Sequence, residues 1–298
     1  MPETACGQLE YQLLFRKSFE ILIIRITVDP DFQFSVLGHK ELQRMSASTN
    51  ASRALVTLLE LGRAGVAGIT LKDLAAAVGD PKPAMLRCLQ ALLEYGFAEQ
   101  VARGRYRLGP SIYSLAKAEN AVHVEVAKWR SALAFLAEKL GQTMYLARRA
   151  GLDVVVIDME IGSSPVQALS SGIGGRLPMG IGSGSLAIVS TLDPQVRSQI
   201  IATNADRYAQ WKLDVATVTR YVDQAAPRDY SCDVGLIIPD VGGLAVPIRE
   251  RGQYSAVMAL GMTAPKSFFD THNHGAIGDE IKKVISRVQA GLPLTGDW

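Results

Sequence analysis

A glycine- and serine-rich turn, Gly180–Ser185, has the composition of an anion-binding site. The turn reads GIGSGS and directly precedes the apolar run LAIVSTL, which predicts a helix. It would place flexible backbone and unpaired N–H groups at a helix N-terminus, where the helix dipole favours negative charge. A turn that serves only close packing is the alternative. The third glycine of a dinucleotide fingerprint is missing, so no cofactor is predicted.

Other residues that could carry catalysis or bind a metal form no recognisable site. The sequence has no G-x-S-x-G nucleophile elbow and no H-E-x-x-H motif. His272 and His274 in THNHG lack Cys or carboxylate partners at suitable spacing, which argues against a metal site. Cys6, Cys88 and Cys232 form no C-x-x-C pair, a pattern that fits a reducing, cytoplasmic location. We therefore predict that the chain is not an enzyme.

Basic residues are concentrated in one part of the chain, although the net charge of +2 is almost neutral. Between residues 51 and 110, eight Lys and Arg residues outnumber five Asp and Glu residues. The excess falls on a predicted helix and on the turn that follows it, where DNA phosphates would be contacted. The predicted DNA-contacting residues are Arg53, Lys82, Ala84, Met85, Arg87, Gln90, Arg103 and Arg105.

Three helical patterns position these residues. The second begins at Thr70, a predicted N-cap with Asp73 at the capping-box position. The turn GDPKP, Gly79–Pro83, separates it from a third helix that stops at Gly96. Two short helices joined by a tight turn match a helix-turn-helix. The predicted buried faces contain Ala51, Ala54, Leu55, Leu58 and Leu59 in the first helix, and Leu86, Leu89, Leu92 and Leu93 in the third.

A hairpin follows the third helix. FAEQV, residues 97–101, and RYRL, residues 105–108, alternate as strands do, and the segment between them carries basic side chains. The pattern predicts a wing, and hence a winged helix-turn-helix that binds DNA. A module that binds protein instead is the alternative.

The first 45 residues differ from the rest. FEILIIRITV, residues 19–28, is an apolar, β-branched run between turn-prone and polar segments. Met45 opens a short polar lead into the first strong helix, so we expect it to be the natural start and residues 1–45 to be an extension. A genuine N-terminal strand pairing with the domain is the alternative.

The second half predicts an α+β sheet with helices packed on it. Helical patterns occupy residues 129–140 and 276–292. No apolar run reaches the roughly 18 residues that would span a membrane. The predicted strands are TMYLARR (143–149), DVVVIDMEI (153–161), VQALS (166–170), GLAVPI (243–248) and YSAVMALGMT (254–263).

Several of these segments occur in an order that resembles the IclR-type transcriptional regulators. The matching pieces are SRALVTLLEL, TLKDLAAAVGDPK with LRCLQALLEYGFAEQ, GRYRLGPSIYSLA, GGRLPMGIGSGSLAIVSTL, and GGLAVPIRERGQYSAVMALGMT. One departure lies at the start of the third helix, where Pro83-Ala84 stands in place of the Ser-Thr of many members. Specificity would then shift toward neighbouring side chains or toward DNA shape.

The resemblance implies a winged helix-turn-helix at residues 46–110, a linker helix at 111–127, and a GAF-like α/β effector-binding and oligomerisation domain at 128–298. It also implies a homodimer or a dimer of dimers (homotetramer), a double-stranded DNA operator and a small carboxylic acid as partners, and no membrane. By their place in the motifs, the implied ligand-binding residues are Met179, Ile181, Gly182, Ser183, Gly184, Ser185, Asp233, Gly243, Gly261 and Thr263.

Glycines at 243 and 261, where members that bind very small acids can carry Cys or Ser, would leave more room in the pocket. With Met179, Ile181, Leu236 and Met262 nearby, we expect a larger, partly apolar acid, aromatic or cyclic. The predicted function is a ligand-responsive regulator of a catabolic operon. The alternatives are a constitutive DNA-binding protein whose C-terminal domain only oligomerises, and an enzyme that uses that domain.

Overall fold

The computed structural model of the chain describes residues 9–17, 20–28, 49–118, 121–164 and 172–294. Residues 49–118 lie in one compact unit and residues 121–294 in another. The predicted start at Met45 and the predicted strand VQALS lie outside the described residues. In the part that the structure describes, no helix is long and apolar enough to cross a membrane.

A hairpin precedes both units in sequence and is grouped with the unit that contains residues 121–294. Strand β1, Leu9–Lys17, pairs antiparallel with β2, Glu20–Val28, in a register that runs from Leu9 opposite Val28 to Lys17 opposite Glu20. The apolar run of residues 19–28 therefore does contain a strand. Its described partner is β1, in a sheet of two strands.

The first unit contains four helices and a small sheet. Its sheet has the order β3-β5-β4, so β5 pairs with both neighbours and the β4–β5 hairpin forms the predicted wing. The short β3 was not predicted from the sequence. In chain order the elements are α1 (Thr49–Arg63), β3 (Ile69–Thr70), α2 (Leu71–Val78), α3 (Lys82–Glu94), β4 (Ala98–Ala102), β5 (Arg105–Leu108) and α4 (Pro110–Lys117).

Local hydrogen bonds explain where α2 begins and ends. Thr70 Oγ1 accepts from the Asp73 N–H at 3.2 Å and donates to Asp73 Oδ2 at 2.7 Å, which confirms the predicted N-cap. Gly79 adopts a left-handed conformation with φ of 76°, and its N–H donates to Ala75 O at 3.0 Å. The turn into α3 is therefore set by residues that the sequence identified.

The predicted buried faces of α1 and α3 are wrong in part. In α1, Leu55 is 64% exposed, whereas Thr57 and Glu60 are buried between apolar neighbours. In α3, Leu86 is 40% exposed and Met85 is completely buried. The α3 face that packs on the core is Met85, Leu89 and Leu92, at the helical spacing i, i+4, i+7.

The second unit is built on a six-stranded antiparallel sheet. The strand order is β8-β7-β6-β11-β10-β9. The strands are β6 (Thr143–Ala150), β7 (Asp153–Glu160), β8 (Arg176–Pro178), β9 (Ser231–Cys232), β10 (Val241–Ile248) and β11 (Met258–Pro265). The helices are α5 (Ala121–Leu140), α6 (Ser183–Ser190), α7 (Pro194–Thr203), α8 (Ala205–Tyr208), α9 (Val215–Ala225), α10 (Lys266–Thr271) and α11 (His274–Gln289).

Both faces of this sheet are buried, because side chains alternate along each strand. One face of β6, β10 and β11 packs against α5 and α11, with Met144 and Leu260 in that core. The opposite face packs against α6 and its neighbours, with Tyr145 and Ala259 in a second core. Residues one position apart on these strands therefore face different helices.

The observed elements of the second half differ from the predicted ones at three places that bear on the site. The predicted linker helix 111–127 is divided, because Ala118 is extended and ends α4, while α5 runs without a break from Ala121 to Leu140. The segment YSAVMALGMT becomes a strand only from Met258. Strand β8 was not predicted from GIGGRLPMG, since three residues are too few to show alternation.

Candidate DNA-binding and effector sites

Helix α3 has the form of a recognition helix. It begins at Lys82 directly after the tight turn, with Pro83 in its first turn, where the missing N–H of proline costs no helical hydrogen bond. Lys82, Arg87 and Gln90 are exposed along it. A helix of this kind enters the major groove with its N-terminal residues near base edges.

Two of the predicted contacts on α3 lie differently. Met85 has no exposed surface because it is part of the apolar face, so its predicted role in reading DNA is wrong. Ala84 is half-buried, and Leu86 takes the exposed place expected of Met85. Sequence spacing alone did not distinguish two adjacent apolar residues, only one of which packs inward.

Arg53 already has partners inside the unit. Its guanidinium Nε lies 2.6 Å from Asp80 Oδ2, and Nη1 donates to Asn50 Oδ1 at 2.8 Å. The hydrogen bond to Asp80 raises the pKa of Arg53 further above its ordinary value. Arg53 thus connects α1 to the turn that precedes α3. Its main role in this structure is to position that turn, and a phosphate contact would be additional.

The wing presents one basic side chain at its tip. Arg103 is exposed next to Gly104, which turns the hairpin with φ of 71°. Arg105 also lies at the surface, but its Nη1 donates to Gly68 O at 2.9 Å and so fastens the wing to the loop before β3. Of the two predicted wing arginines, Arg103 is the better placed to reach a phosphate.

In the second unit, the predicted ligand-binding residues come together on the α6 side of the sheet. Gly243 on β10 and Gly261 on β11 lie on the same sheet face as Tyr145, under the start of α6 at Ser183. Asp233, just after β9, joins them: its N–H donates to Gly243 O at 2.9 Å. Residues far apart in sequence are therefore brought to one place by the pairing of β10 and β11.

The GIGSGS turn forms the N-terminus of α6, as predicted. Gly180 and Gly182 have φ of 106° and 80°, which favour glycine. The Gly180 N–H donates to Ser185 Oγ at 2.5 Å, so Ser185 serves the turn itself. Met179 and Ile181 are completely buried in the α6-side core.

Tyr145 is a site residue that the sequence did not single out. Its hydroxyl lies 2.8 Å from Ser183 Oγ and accepts from the Gly184 N–H at 3.1 Å, in the first turn of α6. Burial raises the pKa of the phenol well above its ordinary value, so it stays neutral. The strand TMYLARR offered one signal, a polar hydroxyl on a strand buried on both faces.

The expectation that Gly243 and Gly261 leave more room is wrong for the described structure. A Cβ on Gly261 would lie 2.5 Å from Tyr145 Cζ, and a Cβ on Gly243 would lie 2.4 Å from Ser183 Oγ. The space that the glycines provide is thus occupied by the chain's own side chains.

Three further residues that were expected to line the site lie on different sides of the sheet or in its core. Met262 packs in the core on the opposite, α5 and α11 side of the sheet, because it follows Gly261 on the same strand, and it does not line this site. Thr263 is buried and returns to the Gly261 side by the same alternation. Leu236 packs against the α6-side core, as expected.

Asp233 is a buried carboxyl group beside the start of α6. It is 7% exposed, and its Oδ1 has no hydrogen-bond partner among the described residues. Burial raises the pKa of Asp233 to about 8, and nearby backbone groups and Ser183 offset only part of that effect. At neutral pH the group is therefore mostly a neutral carboxylic acid, which can donate a hydrogen bond.

The two histidines of THNHG serve local packing. His272 stacks on Phe268 with ring centroids 4.0 Å apart. His274 Nε2 lies 3.0 Å from Phe269 O, and its Nδ1 lies 3.6 Å from Cys232 Sγ. Burial raises the pKa of the Cys232 thiol to about 12, which keeps it protonated. Among the residues that the structure describes, no three potential metal ligands of the His, Cys, Asp or Glu type cluster.

Comparisons with known proteins agree with this architecture. The IclR helix-turn-helix domain matches residues 58–102, which include the end of α1 and all of α2, α3 and β4. No curated protein matches the chain.

Solved structures match over nearly the whole chain. An IclR family transcriptional regulator from Brucella abortus is similar, with a TM-score of 0.65 and 19% identity, covering 88% of this chain and 97% of that one. An IclR homolog from Microbacterium hydrocarbonoxydans, complexed with 4-hydroxybenzoate, has a TM-score of 0.63 and 20% identity over 82% of this chain and 100% of its own. A regulator from Alicyclobacillus acidocaldarius has a TM-score of 0.64 and 20% identity over 82% and 98%.

The predicted fold is thereby confirmed. The match at residues 58–102 identifies an IclR helix-turn-helix domain, and the fold of the chain is similar to that of the IclR-type transcriptional regulators.

Proposed function

We propose that this regulator responds to a small carboxylic acid, aromatic or cyclic, which binds at the start of α6 and changes the affinity of the protein for its operator. Regulation of a catabolic operon and assembly as a dimer or a dimer of dimers are part of the same proposal. The proposed ligand contacts are Ser183, the Gly184 N–H and Asp233.

The observation that carries this proposal is the unpartnered oxygen of Asp233. A buried polar atom without a hydrogen bond costs about 1 to 3 kcal/mol, so its presence needs an explanation. A domain that only oligomerises gains nothing from a buried carboxyl oxygen that has no hydrogen bond. A ligand that pairs with the carboxyl group would offset that cost.

The chemistry of the site favours a carboxylate as that ligand. A protonated Asp233 can donate to a carboxylate oxygen, in a charge-assisted hydrogen bond. The adjoining N-terminus of α6 favours negative charge. The 4-hydroxybenzoate in the Microbacterium hydrocarbonoxydans homolog is an acid of this class.

On the DNA side, we propose that Lys82, Arg87 and Gln90 of α3 approach the major groove and that Arg103 contacts phosphate. Two subunits would place two recognition helices on two half-sites, and the ligand would favour one separation of those helices over another. Ligand and operator must then affect each other's affinity by the same factor.

The test is an operator titration at several ligand concentrations. A duplex selected by the full-length protein from random sequences would be labelled, and its affinity measured by fluorescence anisotropy with benzoate, 4-hydroxybenzoate or acetate present. We expect at least one aromatic acid to change the operator affinity by about 5- to 150-fold, a typical allosteric coupling. An operator affinity unchanged by every acid that binds would refute the proposal.

A further inference from the structure

Tyr145 occupies the place at the start of α6 where an anion would bind. Its hydroxyl oxygen accepts a hydrogen bond from the Gly184 N–H at 3.1 Å and lies 2.8 Å from Ser183 Oγ. Backbone N–H groups in the first turn of a helix have no partner within the helix and are the ones that a bound anion uses. One of them is satisfied here by the chain itself.

The ring of Tyr145 lies in a slot made by two glycines. A Cβ on Gly261 would come within 2.5 Å of Tyr145 Cζ, and one on Gly184 within 3.1 Å of Tyr145 Cε2. Gly261 is also the direct cross-strand partner of Tyr145 in the β6–β11 ladder. The slot therefore exists because both neighbours lack side chains, and it has the width of one aromatic ring.

Asp233 supplies an independent sign that a ligand belongs in this place. Its Oδ1 is buried without a partner among the described residues. Asp233 Oδ1 and Ser183 Oγ both lie within 2.6 Å of the point that a Cβ on Gly243 would take. The hydroxyl of Tyr145 thus satisfies Ser183 and Gly184, while Asp233 Oδ1 stays without a hydrogen-bond partner among the described residues.

We propose that Tyr145 is an internal occupant of the effector site, which an aromatic carboxylate displaces when it binds. This inference rests on the proposed function, since it concerns the same site. The ligand's carboxylate would accept hydrogen bonds from the Gly184 N–H, from the Ser183 hydroxyl and from the carboxyl group of Asp233. Its aromatic ring would fill the slot that the tyrosine ring leaves. Tyr145 therefore closes the site when no ligand is bound. Displacing it costs free energy, which lowers the affinity for the acid.

The test is Tyr145→Phe, which keeps the ring and removes the hydroxyl. The phenylalanine no longer holds Ser183 and Gly184, so a ligand has less to displace. Loss of roughly one net hydrogen bond predicts benzoate binding about tenfold tighter than in the wild type, measured by isothermal titration calorimetry on the full-length protein. The gain should be smaller for acetate, which leaves the slot unfilled.

Tyr208→Phe is the matched control. Tyr208 is buried in the same core, and its hydroxyl donates to Met179 O at 2.7 Å without contacting Ser183 or Gly184. Both variants should lower the melting temperature, but only Tyr145→Phe should raise the affinity for benzoate. A tyrosine with only a structural role would not give a lower melting temperature together with a higher affinity for benzoate when its hydroxyl is removed.

Gly261→Ala tests the slot itself. Its Cβ would occupy the space that the ring of Tyr145, or the ring of the ligand that replaces it, needs, so this variant should bind benzoate more weakly than the wild type. Equal or weaker benzoate binding by Tyr145→Phe would overturn the role of Tyr145. If wild type and variants alike bind neither benzoate, 4-hydroxybenzoate nor acetate at millimolar concentration, the acid site itself is contradicted, and with it the proposed function.

Discussion

The buried carboxyl group of Asp233 makes a specific prediction about stability and pH. Its pKa is about 8 in the folded protein, compared with the ordinary value of 3.8 that applies to the unfolded chain. Between these values the unfolded chain loses the proton and the folded chain keeps it. The folded state therefore binds more protons, and its stability must fall as pH rises from about 4 to about 8.

The size of the effect follows from the interval. Each pH unit between the two pKa values is worth about 1.4 kcal/mol, so two units, from pH 5 to pH 7, cost the folded state at most about 3 kcal/mol. For a unit of this size, 1 kcal/mol corresponds to roughly 2 to 4 °C in melting temperature. The group alone should thus lower the melting temperature by roughly 6 to 12 °C over that range.

Asp233→Asn should remove this contribution, because the amide does not titrate. We expect the fall in melting temperature between pH 5 and pH 7 to be smaller in the variant by that amount, measured by calorimetry on the full-length protein. The control is Asp240→Asn, which changes an exposed carboxylate in the same β9–β10 connection. A pH dependence that is the same in the wild type and in Asp233→Asn would refute the burial argument.

Other substitutions test the DNA-binding unit and the packing of the site. Arg87→Ala should cost about 1 to 3 kcal/mol of discrimination between operator and altered sequences, whereas Arg103→Ala should weaken all duplexes alike and reduce the salt slope by about one, both by anisotropy. Arg53→Ala should lower the free energy of unfolding by about 1 kcal/mol, because the ion pair with Asp80 is lost. It should also weaken operator binding without changing the salt slope, and a reduced slope would show that Arg53 contacts a phosphate instead. Gly243→Ala should destabilise the second unit by about 1 to 3 kcal/mol and abolish benzoate binding, since its Cβ would lie 2.4 Å from a serine hydroxyl; unchanged binding by calorimetry would contradict the site geometry.

Local signals allowed much of the first unit to be predicted. The N-cap of Thr70 and the left-handed Gly79 fix the ends of α2 through contacts within a few residues, so they are visible in the sequence. The buried faces are not fixed locally. Thr57 and Glu60 are buried because of how α1 packs, and Met85 rather than Leu86 faces inward for the same reason.

In the second unit, the sequence identified the turn and the glycines but not what fills the space between them. Tyr145 and Gly261 are more than a hundred residues apart, and only the pairing of β6 with β11 makes them neighbours. Because of the same pairing, Gly261, which was expected to leave room in the pocket, lies directly against the ring of Tyr145. The two-residue periodicity of β11 likewise places Met262 on the side away from the site.

In the proposed mechanism, one acid and one operator act on the same conformational equilibrium. The most direct measurement is the affinity of 4-hydroxybenzoate for the full-length protein, by calorimetry, with and without saturating operator duplex. We expect the operator to change this affinity by the same factor by which the acid changes the affinity for the operator. Equal affinities for the acid with and without operator would contradict it.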